Sequence, residues 1–126
     1  MKETAVILVV DDNPSMAKTL ADILGIKGFE VHAAYSGLEA LAILQSQPVD
    51  ILLTDVVMPD MNGPELYRKL LASHQDIKSL YMSGYTNNAI VHHGVIDEGI
   101  NFIQKPFTVK ELSKKIDAIL SMPENL

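Results

Sequence analysis

Five side chains that could perform chemistry stand at the ends of apolar segments: Asp11, Asp12, Asp55, Ser83 and Lys105. Three carboxylates brought together repel one another, so either their pKa values rise or a cation joins them. Oxygen ligands without histidine or cysteine favour a hard ion such as Mg²⁺, which takes one or two carboxylates and phosphate oxygens. Aspartate can accept a phosphoryl group covalently, and Mg²⁺ with lysine would neutralise the oxygens of that group. The set therefore predicts a phosphoryl site that uses Mg²⁺.

Each of these residues alone also has an ordinary structural explanation. Asp11 and Asp12 could simply favour the N-terminus of a following helix, and Asp55 could form a turn. Ser83 could bond to local backbone, and an isolated lysine such as Lys105 usually lies in solvent. The functional interpretation rests on their common position at the ends of strands, because ligands of open α/β sheets bind outside the carboxyl ends of the strands.

The elements that would position these residues alternate along the chain. Apolar, β-branched segments predict strands, and the segment ILLT before Asp55 is apolar enough for a strand buried on both faces. Capping and stop signals between the strands predict helices. The predicted strands are residues 5–10, 29–34, 51–55, 77–82 and 100–104, and the helix signals are Asn13-Pro14, a stop at Gly28, the capping box Ser36 to Glu39, Gly63-Pro64, and the capping box Thr108 to Glu111.

Repeated alternation of strand and helix predicts an α/β domain with a doubly wound, five-stranded parallel sheet and five helices. Such a sheet commonly has the strand order 2-1-3-4-5, which makes the four strands with polar ends neighbours. The fourth helix, within residues 85–99, has a poor pattern because Asn, His and Gly interrupt it. The 126 residues are predicted to form a single domain, 1–126, with a core of about 5–120.

Composition narrows the class of protein. The formal charge is −6 and no basic run is longer than two residues, which argues against direct nucleic-acid binding because phosphates require a concentrated basic face. Cysteine is absent, so disulfides and thiolate metal sites are excluded. The first apolar run has six residues, too few for a signal peptide or a membrane span. We expect a cytoplasmic domain without membrane contact.

Four motifs, VVDDN, LLTDVVMPDMNG, MSG and QKPF, occur in this order. Together they resemble the receiver domain of response regulators, the phosphoacceptor module of two-component signalling, in its chemotaxis-regulator-like, flavodoxin-like form. The resemblance implies that Asp55 is phosphorylated and that Mg²⁺ is the cofactor. It further implies that Asp12, Asp55 and the main-chain carbonyl of Val57 bind the metal, with Asp11 acting through water.

The resemblance also implies a conformational switch. Ser83 matches the hydroxyl that turns toward the phosphoryl group, Lys105 its charge partner, and Gly84 the small residue that admits the group. The Lys105-Pro106 bond is expected to be cis. Phe102 matches the aromatic residue whose rotamer follows the hydroxyl, and its alternative explanation is simply a core aromatic.

The resemblance implies a switch rather than a turnover enzyme, with a histidine kinase or a histidine phosphotransfer domain as its partner. The chain is expected to be either a single-domain regulator or a piece of a longer protein. The segments LYMSGYT and NFIQKPFT are similar to C-terminal receivers of hybrid sensor histidine kinases, which favours the second alternative; the parent protein would then be a histidine kinase. A monomer or weak dimer is expected. Two alternatives are a Mg²⁺-dependent aspartyl-nucleophile phosphatase, disfavoured because Val57 stands where a second acid is needed, and a docking receiver that is never phosphorylated, disfavoured by the complete residue set.

Two departures from the family pattern concern the lifetime of the phosphoryl group. Val57, two residues after Asp55, is apolar, and Tyr85, two residues after Ser83, is bulky. Neither side chain readily orients a hydrolytic water, which predicts slow self-dephosphorylation. The weak helix within 85–99 is a candidate for a population shift on phosphorylation, and His92-His93 within it is expected on a solvated face.

Overall fold

Strands and helices follow one another as the sequence predicts. The computed structural model describes residues 5–72, 77–84 and 101–121. The predicted helix within 85–99 lies outside these ranges, so the described part of the chain contains four helices rather than five. The strands are β1 (Val6–Val10), β2 (Glu30–Ala34), β3 (Ile51–Asp55), β4 (Lys78–Ser83) and β5 (Phe102–Gln104), and the helices are α1 (Pro14–Ile26), α2 (Gly37–Ser46), α3 (Gly63–Leu71) and α4 (Val109–Leu120).

The five strands form one parallel sheet with the order β2-β1-β3-β4-β5, which confirms the predicted order. Strand β3 lies between β1 and β4, in a register that pairs Val10 with Thr54 and Asp55 with Met82. Because all five strands run in the same direction, their carboxyl ends meet at one edge of the sheet. That edge therefore carries the residues that were predicted to act together.

Two apolar layers cover the sheet, one on each face. Along β1, Ile7 and Val9 pack in the layer of α1 and α4, whereas Leu8 and Val10 pack in the layer of α2 and α3. Burial on both faces explains why β1 and β3 are almost continuously apolar. No helix within the described ranges is long and apolar enough to cross a membrane.

The two predicted capping boxes differ in one hydrogen bond. Thr108 and Glu111 form the complete reciprocal pair at the start of α4. At the start of α2, Ser36 accepts from the Glu39 amide at 3.1 Å, as predicted, but the Glu39 carboxylate accepts from the Tyr35 amide instead of the Ser36 amide. The chain enters α2 in an extended conformation at Ser36, and from there the glutamate reaches the amide one residue earlier.

The ends of α1 and the start of α3 are set by short polar or flexible residues. Asn13 caps α1 ahead of Pro14, and Gly28 follows the helix with a φ of 103°, which glycine adopts without steric cost. Both features were predicted. The start of α3 carries a capping box between Asn62 and Glu65 that the sequence analysis did not identify.

Gly63, the first residue of α3, packs directly against the end of β3. A Cβ atom at this position would lie 2.7 Å from the backbone oxygen of Asp55 and 3.0 Å from Cγ2 of Thr54. The Gly63 amide also donates to the carbonyl of Val56 at 2.8 Å. The absence of a side chain therefore lets α3 begin immediately beside the strand that ends in Asp55.

Replacing Gly63 with alanine should lower the free energy of unfolding by about 1–3 kcal/mol, because the backbone of β3 or α3 must shift to admit the methyl group. Gly25→Ala is the matched control, since a Cβ atom there meets nothing within 4 Å. Gly25 lies in α1, where alanine is a better helix former than glycine, so the free energy of unfolding of the control should rise by roughly 0.5–1 kcal/mol. Urea unfolding of both variants measures the difference, and equal effects would contradict the close approach at Gly63.

Candidate functional site

Three carboxylates converge at the carboxyl edge of the sheet. One oxygen from each of Asp11, Asp12 and Asp55 lies within 4.8 Å of the other two. Asp11 and Asp12 follow β1, and Asp55 is the last residue of the neighbouring β3. Asp11 is buried, Asp55 is partly buried and Asp12 is exposed. The acidic cluster therefore opens to solvent on the side of Asp12.

Lys105 supplies the positive charge next to this cluster. Its Nζ atom lies 3.1 Å from Oδ2 of Asp11 and 3.7 Å from Oδ2 of Asp55. The Lys105 backbone amide donates to the carbonyl of Ser83 at 2.7 Å, and the Lys105-Pro106 peptide bond is cis. The end of β4 thus fixes the backbone from which the lysine reaches both carboxylates.

The buried Asp11 carboxylate uses both of its oxygens. Oδ1 accepts from the backbone amide of Asn13 at 2.9 Å, and Oδ2 accepts from Lys105. The Asp11 amide donates to the carbonyl of Ala34 at the end of β2. Because a buried charge needs such partners, Asp11 is held in one orientation and in turn holds the lysine.

The environment of Asp55 raises its pKa from the ordinary value of 3.8 to about 6. Burial of the carboxylate is the largest cause, and the charges of Asp11 and Asp12 add to it. The Lys105 charge and a hydrogen bond from the Val56 backbone oppose the rise. Asp55 is consequently ionised at neutral pH. Its ionised form is less favourable here than in water, and an added cation would offset that difference.

The donor set fits a hard divalent cation. All three clustered side chains offer carboxylate oxygens, the ligands that Mg²⁺ prefers. Mg²⁺ keeps several waters or takes oxygens from a bound phosphate, and the exposed position of Asp12 leaves access for them. A cation here would also relieve the repulsion among the carboxylates.

The remaining predicted site residues lie along the same edge. Ser83 is buried at the end of β4, next to the strand of Asp55. Gly84 is exposed, and a Cβ atom there would meet nothing within 4 Å. Phe102 is buried in β5 and is paired with Tyr81. Burial of Phe102 agrees with a core aromatic, and its role as a switch stays a prediction.

Val57 is the exposed apolar residue nearest to Asp55 along the loop that follows β3. Val57 is 53% exposed, so its side chain points away from the core, and it offers no polar group beside Asp55. Tyr85 and His92-His93, which the sequence analysis also singled out, lie outside the described residues.

One contact at this edge was missed by the sequence analysis. The Asp60 carboxylate accepts hydrogen bonds from the amides of Gly37 and Leu38, the first residues of α2. These groups are separated by 23 and 22 residues along the chain. No local spacing rule joins them, because the contact exists only once α2 and the loop after β3 are packed side by side.

The raised pKa of Asp55 predicts that its charge destabilises the metal-free fold above about pH 6. The folded chain binds this proton more tightly than the unfolded chain, so the stabilising contribution is present below about pH 4 and is lost as the pH rises through about 6. In a chelating buffer, Asp55→Asn should therefore gain stability relative to wild type between pH 4.5 and 7.5. We expect a relative gain of about 2 kcal/mol, reduced for partial exposure of the carboxylate.

Urea unfolding across this pH range measures the difference between the two proteins. Asp22→Asn removes an exposed carboxylate on α1 and serves as the control. A difference between Asp55→Asn and wild type that does not change with pH would contradict the raised pKa.

Comparisons with known proteins agree on one family for this chain. The profile of the response regulator receiver domain matches residues 7–117. The chain is 38% identical over 119 residues to the sensor kinase CckA of Brucella abortus (strain 2308), covering 93% of this chain and 13% of that kinase. It is 31% identical over 114 residues to the response regulator receiver protein CpdR of the same organism, covering 90% of this chain and 95% of CpdR.

A solved structure agrees with these relatives. The response regulator protein TrrA from Thermotoga maritima, in complex with Mg²⁺-BeF, superposes with a TM-score of 0.77 and 27% identity, covering 92% of this chain and 99% of TrrA. The family profile spans both layers of the sheet and every strand end that carries a candidate residue. The predicted resemblance and the flavodoxin-like strand order are thereby confirmed. The chain belongs to the family of response regulator receiver domains, the phosphoacceptor modules of two-component signalling.

Proposed function

We propose that Asp55 is the phosphoacceptor of this receiver and that it takes its phosphoryl group from a phosphohistidine. The observation that carries the proposal is the position of Asp55 within 4.8 Å of two further carboxylates and 3.7 Å from the Lys105 ammonium. A partly buried carboxylate that is ionised at neutral pH can act as a nucleophile. The adjacent ammonium can neutralise charge on the incoming phosphoryl oxygens.

The transfer is a displacement at phosphorus. An Oδ atom of Asp55 attacks phosphorus, a phosphorus–oxygen bond forms, and the phosphorus–nitrogen bond of the phosphohistidine breaks. The imidazole leaves with the bonding electron pair and takes up a proton. Asp11 keeps Lys105 at the site throughout, because the Asp11 carboxylate is buried and bonded to the lysine at 3.1 Å.

We further propose that Asp12, Asp55 and the Val57 carbonyl hold Mg²⁺, with Asp11 acting through water. The carboxylate cluster and the Mg²⁺-BeF complex of the relative TrrA support this assignment. When bound, the metal supplies positive charge that stabilises the oxygens of the transferring group. Asp11 and Lys105 would hold the buried side of the site, and the phosphoryl donor would approach from the exposed side, next to Asp12.

The proposed response to phosphorylation runs through β4 and β5. Ser83 is the switch hydroxyl, Gly84 leaves space for the phosphoryl group, and Phe102 follows the hydroxyl. The backbone bond between Lys105 and the Ser83 carbonyl supports this proposal, since it holds the backbones of the two residues side by side. Phosphorylation would thereby favour a different partner surface, which is the behaviour of a switch rather than of a turnover enzyme.

The proposed phosphoryl donor is a histidine kinase or a histidine phosphotransfer domain. An apolar groove of about 410 Å³ between α1 and α4 supports a protein donor, because Lys105 is among its lining residues and so connects it to the acidic cluster. The likeness to the sensor kinase CckA, together with the likeness to a receiver domain solved from the hybrid histidine kinase CckA, favours an origin within a hybrid histidine kinase. The likeness to CpdR along nearly its full length is compatible with a separate regulator.

The phosphoacceptor proposal predicts a single phosphoryl adduct on Asp55. Incubation with acetyl phosphate and Mg²⁺ should add one phosphoryl mass to the intact chain, and a chelator should prevent the addition. Asp55→Asn should form no adduct, because the amide is not a comparable nucleophile. Asp22→Asn is the matched control and should be modified like wild type, since its carboxylate is exposed on α1 outside the cluster.

Three outcomes would overturn this function. Steady release of phosphate with many turnovers per chain would indicate a phosphatase. An adduct that persists in Asp55→Asn would remove Asp55 as the acceptor. No adduct from either acetyl phosphate or a phosphorylated histidine protein would favour a docking module.

The exposed valine at position 57 predicts a long-lived phosphoryl group. An asparagine there would place a polar side chain beside Asp55 that can orient water, so Val57→Asn should shorten the lifetime by roughly tenfold or more. The decay of the adduct mass after removal of acetyl phosphate measures the lifetime. Val57→Leu keeps the apolar character and should decay like wild type, and an unchanged lifetime in Val57→Asn would refute the role of Val57.

A further inference from the structure

We propose that Asp60 is a positioning residue that clamps the phosphoacceptor loop, residues 56–62, onto the N-terminus of α2 and thereby holds Val57 beside Asp55. The proposal rests on the function assigned to Asp55 above. Its direct observation is a two-pronged contact: Oδ1 of Asp60 accepts from the Gly37 amide at 3.3 Å, and Oδ2 accepts from the Leu38 amide at 3.1 Å.

The clamp uses helix amides that need an acceptor outside the helix. The first amides of a helix have no partner within it, and Ser36 satisfies only the amide of Glu39 in the first turn of α2. Asp60 satisfies two others with a full negative charge, which is favourable at the positive end of a helix. The loop is thus attached to α2 by charge-assisted bonds and not by apolar packing alone.

A second contact holds the same two segments together. Gly37 is buried against Met61, and a Cβ atom at position 37 would lie 2.5 Å from Cγ and 2.7 Å from Sδ of Met61. No side chain larger than hydrogen fits there while Met61 keeps its place. Residues 60 and 61 of the loop therefore both contact the first turn of α2.

The opposite end of the loop is attached to the sheet. The Val56 amide donates to the Met82 carbonyl at 3.0 Å, and the Gly63 amide closes the loop onto the Val56 carbonyl at 2.8 Å. Val57 lies between this anchor and the Asp60 clamp. Since its backbone is constrained from both sides, the direction of the Val57 carbonyl depends on the clamp as well as on the sheet.

The decisive experiment compares Asp60→Ala and Asp60→Asn with Asp22→Ala, an exposed aspartate on α1. Amide hydrogen exchange at Gly37, Leu38 and Val57, measured by NMR without metal, should become faster in Asp60→Ala. Mg²⁺ titrations followed by NMR should show affinity about tenfold weaker, as for other residues that orient metal ligands without binding the metal themselves. Asp60→Asn keeps one acceptor oxygen and should fall between Asp60→Ala and wild type.

A pair of substitutions tests the same clamp from the side of the helix. Gly37→Ala should displace Met61 and weaken Mg²⁺ binding, and the double variant Gly37→Ala/Met61→Ala should recover most of the affinity. Gly25→Ala, which adds a methyl group in open space on α1, should leave Mg²⁺ affinity unchanged. Urea unfolding of every variant separates a general loss of stability from the specific loss of metal affinity.

The outcomes distinguish the clamp from the underlying function. If wild type binds Mg²⁺ and forms the adduct while Asp60→Ala matches Asp22→Ala in exchange and affinity, the clamp is wrong and the phosphoacceptor assignment stands. If wild type neither binds Mg²⁺ nor forms the adduct, the phosphoacceptor assignment fails. Faster exchange at Val57 in Asp60→Ala would then still support loop positioning, and unchanged exchange would overturn it.

Discussion

Mutual repulsion of three carboxylates is the constraint on which the rest of this structure depends. Asp11, Asp12 and Asp55 are held within 4.8 Å of one another, and one of them is almost completely buried. Flexible segments would separate such charges, so they must be fixed by something stiff. Two adjacent parallel strands, covered on both faces by apolar layers, provide that stiffness. Lys105 offsets part of the repulsion, but burial, together with the charges of Asp11 and Asp12, still raises the pKa of Asp55.

This constraint explains features that would otherwise be unrelated. Gly63 lacks a side chain because α3 begins against the carbonyl of Asp55. The backbone amide of Asn13 donates a hydrogen bond to Asp11 while the Asn13 side chain caps α1, so one residue orders both the helix and the buried acid. The backbone of Lys105 is bonded to the end of β4. Each of these contacts fixes the backbone next to a charged side chain, where a small displacement of the charge changes the electrostatic energy most.

The sequence predicted the sheet, and the convergence of the candidate residues at one edge of it, because both follow from repeating, local signals. Runs such as ILLT identify buried parallel strands, and the strand order then brings Asp11, Asp55, Ser83 and Lys105 to one edge. Bonds that depend on the angle at which segments meet were not predicted. Glu39 bonds to Tyr35 because of the extended entry into α2, and Asp60 reaches α2 across more than 20 residues. Their partners are set by packing rather than by spacing.

Lys105 contacts two acids at once, so a change of charge at Asp55 would also affect the contact between Lys105 and Asp11. The ammonium lies nearer to Asp11, at 3.1 Å, than to Asp55, at 3.7 Å. Phosphorylation would add negative charge on the Asp55 side and shift this balance toward Asp55. The Lys105 amide donates to the Ser83 carbonyl at 2.7 Å, so the backbone that carries the lysine lies against the end of β4. The acidic cluster and the proposed switch residue Ser83 therefore lie at one edge of the sheet, where Lys105 contacts both carboxylates and the end of β4.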